Sequence, residues 1–375
     1  MQQLKPLAAA LVAAGGLTMV AQEALAFEIT PRGRIHMDYA IHDEDGQELG
    51  DGFQVRRTRM GLTGTIDENW RFQVEYDFAE NGSSANDVWL RYTGLQHGHI
   101  TIGHFKVPFG LEEITSSNSI TLIERSLPTT TFAQARRVGV GYSVTQSNWH
   151  FAAMGFGQGS GSGTRSTTGD EGLGVGARFV FNPVRNDDLM VHLGIAASTE
   201  EPADDNVEQV RFRTRPESRP TDVRLVDTGN IGGTRRIDQV GLEAAMQSGP
   251  FSLQGEWMRA DVNRRGIEPD VDFSGWYVSG SWVVTGESRG YRDGVFRGVS
   301  PSGPGGAWEL TARVSNVNLN DGAVAGGKQD NITLGVNWYA NSNVRFMANY
   351  IINDVERGGV NDKPNIFLMR AQVAF

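Results

Sequence analysis

No cysteine occurs among the 375 residues. An exported chain without thiols has no disulfide framework, so its fold must rest on burial and hydrogen bonding. Lysine is scarce too: Lys5, Lys106, Lys328 and Lys363 are the only four of 34 basic residues, and the other 30 are arginines. After residue 26 no stretch approaches the roughly 18 uninterrupted apolar residues that mark a spanning helix. Any crossing of a membrane must therefore be made by strands. The net charge of −10 argues against a nucleic-acid partner. The seven histidines are scattered, without the ligand clusters and supporting acids of a zinc site. The glycine-rich run from Gly155 to Gly163 lacks a GK[ST] ending and leads to no helix. It reads as a mobile external loop, not a phosphate loop. No Ser–His pair is marked in adjacent strands, so neither catalysis nor a cofactor is expected.

What is present begins with Met1 to Ala26: a basic Lys5, an apolar run from Leu7 to Val20 and the small-residue site Ala24-Leu25-Ala26. This is the pattern of a signal peptide cleaved before Phe27. Composition then stays even to the end, so residues 27–375 are expected to form one domain. In the last eleven residues Phe367, Met369, Ala371, Val373 and the terminal Phe375 share one strand face, with Arg370 and Gln372 on the other. That ending looks like the closing strand of a bacterial outer-membrane barrel, which shows lipid on one face and a watery lumen on the other.

The alternation repeats along the chain. Phe72, Val74, Tyr76 and Phe78 oppose Arg71, Gln73, Glu75 and Asp77. Equivalent segments bring the total to 16, an even number as in single-chain bacterial barrels. The connections sort themselves, with short turns such as Asp67-Glu68-Asn69 after even strands and longer polar stretches after odd ones. Two stretches stand out. Val107 to Arg136, after the fifth strand, has room for a helical piece between Leu111 and Arg125. Glu287 to Gly306 is long where the count predicts a short periplasmic turn, and long connections are usually functional or disordered.

Several motifs resemble the phosphate-selective porin family. They are Val55-Arg56-Arg57-Thr58-Arg59, Asp87-Val88-Trp89-Leu90-Arg91-Tyr92 and Ile102-Gly103-His104-Phe105-Lys106-Val107-Pro108-Phe109-Gly110. Glu124-Arg125-Ser126-Leu127-Pro128, Arg136-Arg137-Val138 and Gly306-Ala307-Trp308-Glu309 follow in order. The resemblance implies an all-β fold, a 16-stranded antiparallel transmembrane barrel with an inward-folded loop after strand 5, assembled as a homotrimer. It further implies a passive outer-membrane channel for phosphate or related anions, working without a cofactor. Carried over residue by residue, the ion-pathway candidates are Arg56, Arg57, Arg59, Lys106 and Arg125, with Asp87 as an acidic partner. The loop departs from the family at Asn118, where relatives tend to carry a basic residue.

Strand phase supports an anion preference only modestly. Arg32, Arg34, Arg57, Arg59, Arg71, Arg91, Arg137, Arg178, Arg313, Arg345 and Arg370 face the lumen, against Asp38, Glu75, Asp77, Asp87, Glu243, Glu256 and Glu309. Arg57 and Arg59 share a face and are expected to act at one depth. Arg56 shares its phase with Met60 and Leu62, which places it beyond the lipid belt or at a bulge. A weakly selective diffusion porin is the alternative from the same class; a barrel hydrolase or adhesion barrel is the alternative from another.

Overall fold

The computed structural model describes residues 27–79, 82–157, 172–202 and 209–375. The signal-peptide reading, most of the Gly155–Gly163 loop and part of the connection near residue 205 lie outside them. The barrel wall comprises β1 (Glu28–Asp43), β2 (Gly52–Thr65), β3 (Trp70–Asp77), β4 (Ser84–Tyr92), β5 (His99–Lys106), β6 (Arg136–Thr145), β7 (Trp149–Phe156) and β8 (Gly174–Phe181). It continues through β9 (Met190–Glu200), β10 (Thr234–Ser248), β11 (Phe251–Arg264), β12 (Val271–Val283), β13 (Ala307–Asp321), β14 (Val324–Tyr339), β15 (Val344–Arg357) and β16 (Asn365–Ala374). The sheet has 17 members, one being the three-residue Val360–Asp362 at the tip of β15; the remaining strands are these 16. Every neighbour pairs antiparallel, and β16 closes on β1 from Asn365 opposite Asp43 to Ala374 opposite Arg34. Closure leaves the wall no unpaired edge.

Burial runs opposite to that of a water-soluble protein. On β3, Val74 and Tyr76 are 39% and 38% exposed while Glu75 between them is fully buried. On β12, Trp276, Val278 and Trp282 look outward, whereas Tyr277, Ser279 and Ser281 are enclosed. An apolar exterior around a charged interior suits hydrocarbon outside and polar groups inside. Stacked pairs along the outside near the short turns, Trp308 with Trp338 at 5.7 Å and Phe251 with Trp282 at 5.7 Å, belong to an interfacial aromatic girdle.

The seam ends on a reciprocal pair. Gly33 donates to the Phe375 carbonyl at 2.9 Å, and Phe375 donates back at 3.0 Å. The Phe375 ring lies over Gly33 so closely that a Cβ there would stand 2.5 Å from Cζ.

Among the described residues, three connections enter the lumen: residues 107–135, part of 209–233, and 284–306. The helical piece anticipated between Leu111 and Arg125 is the short α1 (Leu111–Ile114), and a second short helix, α2 (Leu127–Phe132), follows beyond Arg125 with proline in its first turn. The segment between them is built of turns and bends: Ser119 and Ile120 donate to the Ser116 carbonyl at 2.8 and 3.2 Å, while other backbone groups bond to side chains of the wall. The long even-numbered connection is a hairpin, Arg289–Arg292 against Val295–Val299.

Candidate functional site

The loop of residues 107–135 is fastened to the barrel through its backbone. Glu256 on β11 accepts the N–H groups of Leu111 and Glu112, each at 2.7 Å, and so caps α1 with a side chain from another strand. Arg345 donates to the Ile120 carbonyl at 2.9 Å, Arg370 to the Ile123 carbonyl at 2.6 Å and Arg313 to the Glu124 carbonyl at 3.1 Å. The Ile123 N–H donates to Asn349 at 2.8 Å, and Asn337 holds the Thr121 carbonyl at 2.7 Å. Strands β13 to β16 therefore grip one side of the loop. Buried backbone groups need such partners, and the lumenal arginines and asparagines supply them.

This grip divides the lumen. On β8 to β16 the lumen-facing Arg178, Glu243, Glu256, Glu309, Arg313, Arg345 and Arg370 are buried. On β1 to β6 burial is mixed: Arg34, His36, Asp38, Arg57 and Glu75 are buried, whereas Arg32, Arg59, Asp77, Asp87, Arg91, Lys106, Arg136 and Arg137 keep partial exposure and Arg71 is exposed. Partly exposed charged side chains thus line the lumen along the β1–β6 wall.

The sequence-derived candidates separate on this map. Arg56 turns inward: opposite the step from His36 to Met37 the pairing passes from Arg57 to Val55, leaving Arg56 as the extra residue of a bulge. Its guanidinium bonds Glu124 through Nε at 2.8 Å and Nη2 at 3.2 Å. Arg57 is 2% exposed behind the loop tip and donates to His36 Nδ1 at 3.3 Å. His36 then donates Nε2–H to Asn118 at 3.1 Å, which defines a neutral tautomer. Arg59 instead meets Asp77 at 2.7 Å. The Arg57–Arg59 pair anticipated at one depth thus differs in its surroundings, one member covered by the loop and the other partly exposed beside Asp77. Lys106 bonds the Glu113 carbonyl and lies 3.3 Å from the Glu113 carboxylate. Arg125 joins the same carboxylate at 3.1 Å and donates to the Glu112 and Thr115 carbonyls. Asp87 is held by Arg136 through two bonds of 3.0 and 2.9 Å.

Glutamates of the loop offset much of this positive charge. Burial alone would raise the Glu124 carboxyl, but Arg56, Arg57 and Arg370 together hold it well below the usual range. Burial likewise opposes ionisation of Glu113, and Arg125 and Lys106 overcome it.

Sequence reasoning missed a second group. Between the inward loop and the connection after β9 lies a cavity of about 310 Å³, faced by Arg56, Arg125, Arg213, Arg215, Arg219 and Arg224 with Glu113, Glu124 and Glu217. Glu217 ties that connection down, reaching Arg313 at 2.5 Å, Ser315 at 2.6 Å and Thr333 at 2.8 Å. Burial, then the charges of Arg215, Arg213 and Arg219, lowers the Arg224 guanidinium to about 10, still charged at neutral pH. The sequence signal was the alternation Arg211, Arg213, Arg215 inside a turn-rich stretch.

Known proteins place this arrangement. The family model described as phosphate-selective porin O and P matches residues 29–375. Porin O of Pseudomonas aeruginosa is 29% identical over 405 aligned positions, covering 96% of this chain and 91% of that protein. Among solved structures, the anion-selective porin from Comamonas acidovorans superposes with a TM-score of 0.62 at 16% identity, over 93% of this chain and 100% of that one. The trimer form of OmpT from Vibrio cholerae gives 0.60 at 13% identity, over 93% of this chain and 100% of that one. These structural likenesses bear on the fold; the family match bears on the whole barrel. The chain belongs to the phosphate-selective porin O and P family, and is a bacterial outer-membrane porin.

Proposed function

We propose that this porin is a passive anion channel whose preferred cargo is phosphate or a related oxyanion. The observation that carries the reading is the convergence of six arginines on one cavity above the constriction. Guanidinium groups offer several donors in a planar fork that suits tetrahedral oxyanions and stay charged at any working pH. An anion entering there meets Arg56 and Arg125, passes Arg59, Lys106 and Arg136, and leaves past Arg71 and Arg91. Arg71 and Arg91 stand directly opposite each other on β3 and β4. Like charges in that position are unfavourable unless something relieves them, and a passing anion does so.

Glu113, Glu124, Glu217 and Asp87 keep each site moderate. A deep well would trap the ion, whereas conduction needs several weak sites in series. The family's description as phosphate-selective and the anion-selective structural neighbour support the same reading, and the trimer form of OmpT supports assembly as a homotrimer. The mature chain starts at Phe27 in this scheme, after removal of a signal peptide, and forms a single barrel domain.

The test is phosphate block of chloride current through single channels in a planar bilayer. Saturable block at low phosphate supports an oxyanion site. Chloride current that falls only in proportion to the ions exchanged would make this a weakly selective diffusion porin.

A further inference from the structure

The hairpin between β12 and β13 enters the lumen from the end opposite to the constriction loop, and the two meet. Val295 and Phe296 share a buried apolar cluster with Leu111 of the loop and with Met190 and Ala245 of the wall, and Ile114 packs against it. Arg289 links them by a polar route. Its Nη2 donates to the Ser119 carbonyl at 3.0 Å, its guanidinium lies 4.4 Å over the Phe296 ring, and its own carbonyl accepts from Gln247 at 2.8 Å. Ser119 adjoins Asn118, whose side chain bonds His36 on the facing wall.

The far end of the hairpin is pinned as well. Arg178, held by Glu243 at 2.8 and 2.7 Å, donates to the Gly294 carbonyl at 2.9 Å. The Tyr291 hydroxyl meets His192 Nδ1 at 2.6 Å, and Asn182 donates to it at 3.1 Å. Apolar packing inside a polar lumen has no use for ion passage. Burial of an apolar cluster of this size stabilises a fixed position, and the polar contacts at both ends fix its orientation.

We infer that the hairpin is a static brace: it supports the constriction loop from the periplasmic side and closes the part of the lumen bounded by β8 to β11. Arg289 and Phe296 are positioning residues for the constriction. The width of the aperture is then set jointly by inserts from both membrane faces. This rests on the porin reading but not on which ion is preferred.

The experiment uses the full chain in planar bilayers and in detergent. Arg289→Ala and Phe296→Ala are expected to raise single-channel conductance about twofold and to add open-channel noise, while Arg289→Lys, which can still reach a carbonyl and an aromatic face, restores the wild-type trace. Replacing residues 288–303 by a short Gly-Ser turn gives the larger rise and covers the case in which either point variant fails to fold. A single Ala245→Cys, in a chain with no other thiol, reports closure directly. It is protected from a charged thiol reagent with the hairpin present and is modified once the hairpin is excised. Unchanged conductance on excision, or equal labelling of Cys with and without the hairpin, overturns the brace. A wild-type reversal potential of zero in a salt gradient would remove the anion reading and leave these outcomes unaffected.

Discussion

Arg56 meets Glu124 only because β2 carries one residue more than β1 at that point. Regular pairing would aim Arg56 at lipid with Met60 and Leu62; the bulge turns it into the lumen, where Glu124 takes both Nε and Nη2. The same carboxylate also receives Arg370 at 2.8 Å. One loop glutamate therefore neutralises charge beside the inward loop and fastens the loop to β16.

Glu124→Gln should separate those two roles. Anion selectivity should increase, because Arg56 loses its counter-charge, and the reversal potential in a KCl gradient should move further toward that of chloride. Stability should fall, because removing one partner of a buried pair typically costs about 3–5 kcal/mol. The expected readout is dissociation of the folded species at a lower temperature on a gel. A shift toward cation selectivity would contradict the assignment of Arg56 to the pathway.

Arg57 and Arg59 should behave differently despite sharing a strand face. Arg59→Ala removes a guanidinium on the water-facing side and should weaken phosphate block several-fold at low salt, with less effect at high salt as screening grows. Arg57→Ala, behind the loop tip against His36, should mainly lower thermal stability. Equal loss of block from each would show that the loop leaves both open to the ion.

Excising residues 112–130 should raise single-channel conductance several-fold, since these residues span the lumen between β1–β2 and β13–β16. Measuring conductance before and after is sufficient. An unchanged value would place the loop outside the conducting path.

Gly33→Val should impair barrel closure. Even a methyl-sized Cβ would crowd the Phe375 ring, and overpacking usually costs about 1–3 kcal/mol. The second change Phe375→Ala should relieve the crowding yet leave assembly impaired, because the terminal aromatic is itself part of the seam. Full heat-modifiable assembly of Gly33→Val would show that the ring swings aside at no cost.

The wall was legible because lipid and lumen impose a period of two on each strand, and β3 shows it at every position from Phe72 to Asp77. Even the bulge left a trace, as Arg56 sat on the wrong face for a charge. The lumen was less legible. Which arginine meets which acid depends on contacts far apart in sequence, such as Arg313 with Glu112 and Glu217, and no local pattern encodes them. The arginines from 211 to 215 alternate but sit in a turn-rich stretch outside the wall, so their convergence with Arg56 and Arg125 appears only once the connection after β9 folds inward. The inward loop was legible only at α1, for a related reason. From Ile120 to Glu124 its backbone groups bond to wall side chains, and the local turn on the Ser116 carbonyl is not continued as helix.

The central claim is that the conducting path is electropositive because of arginines gathered above and along the constriction. Its most direct test is the reversal potential under a KCl gradient at low total salt, for the wild type and for a variant carrying Arg213→Ala, Arg215→Ala and Arg224→Ala. The wild type should reverse near the chloride potential, and the variant should move measurably toward zero. A wild type that reverses near the potassium potential, or a variant that shows no movement, would contradict the account.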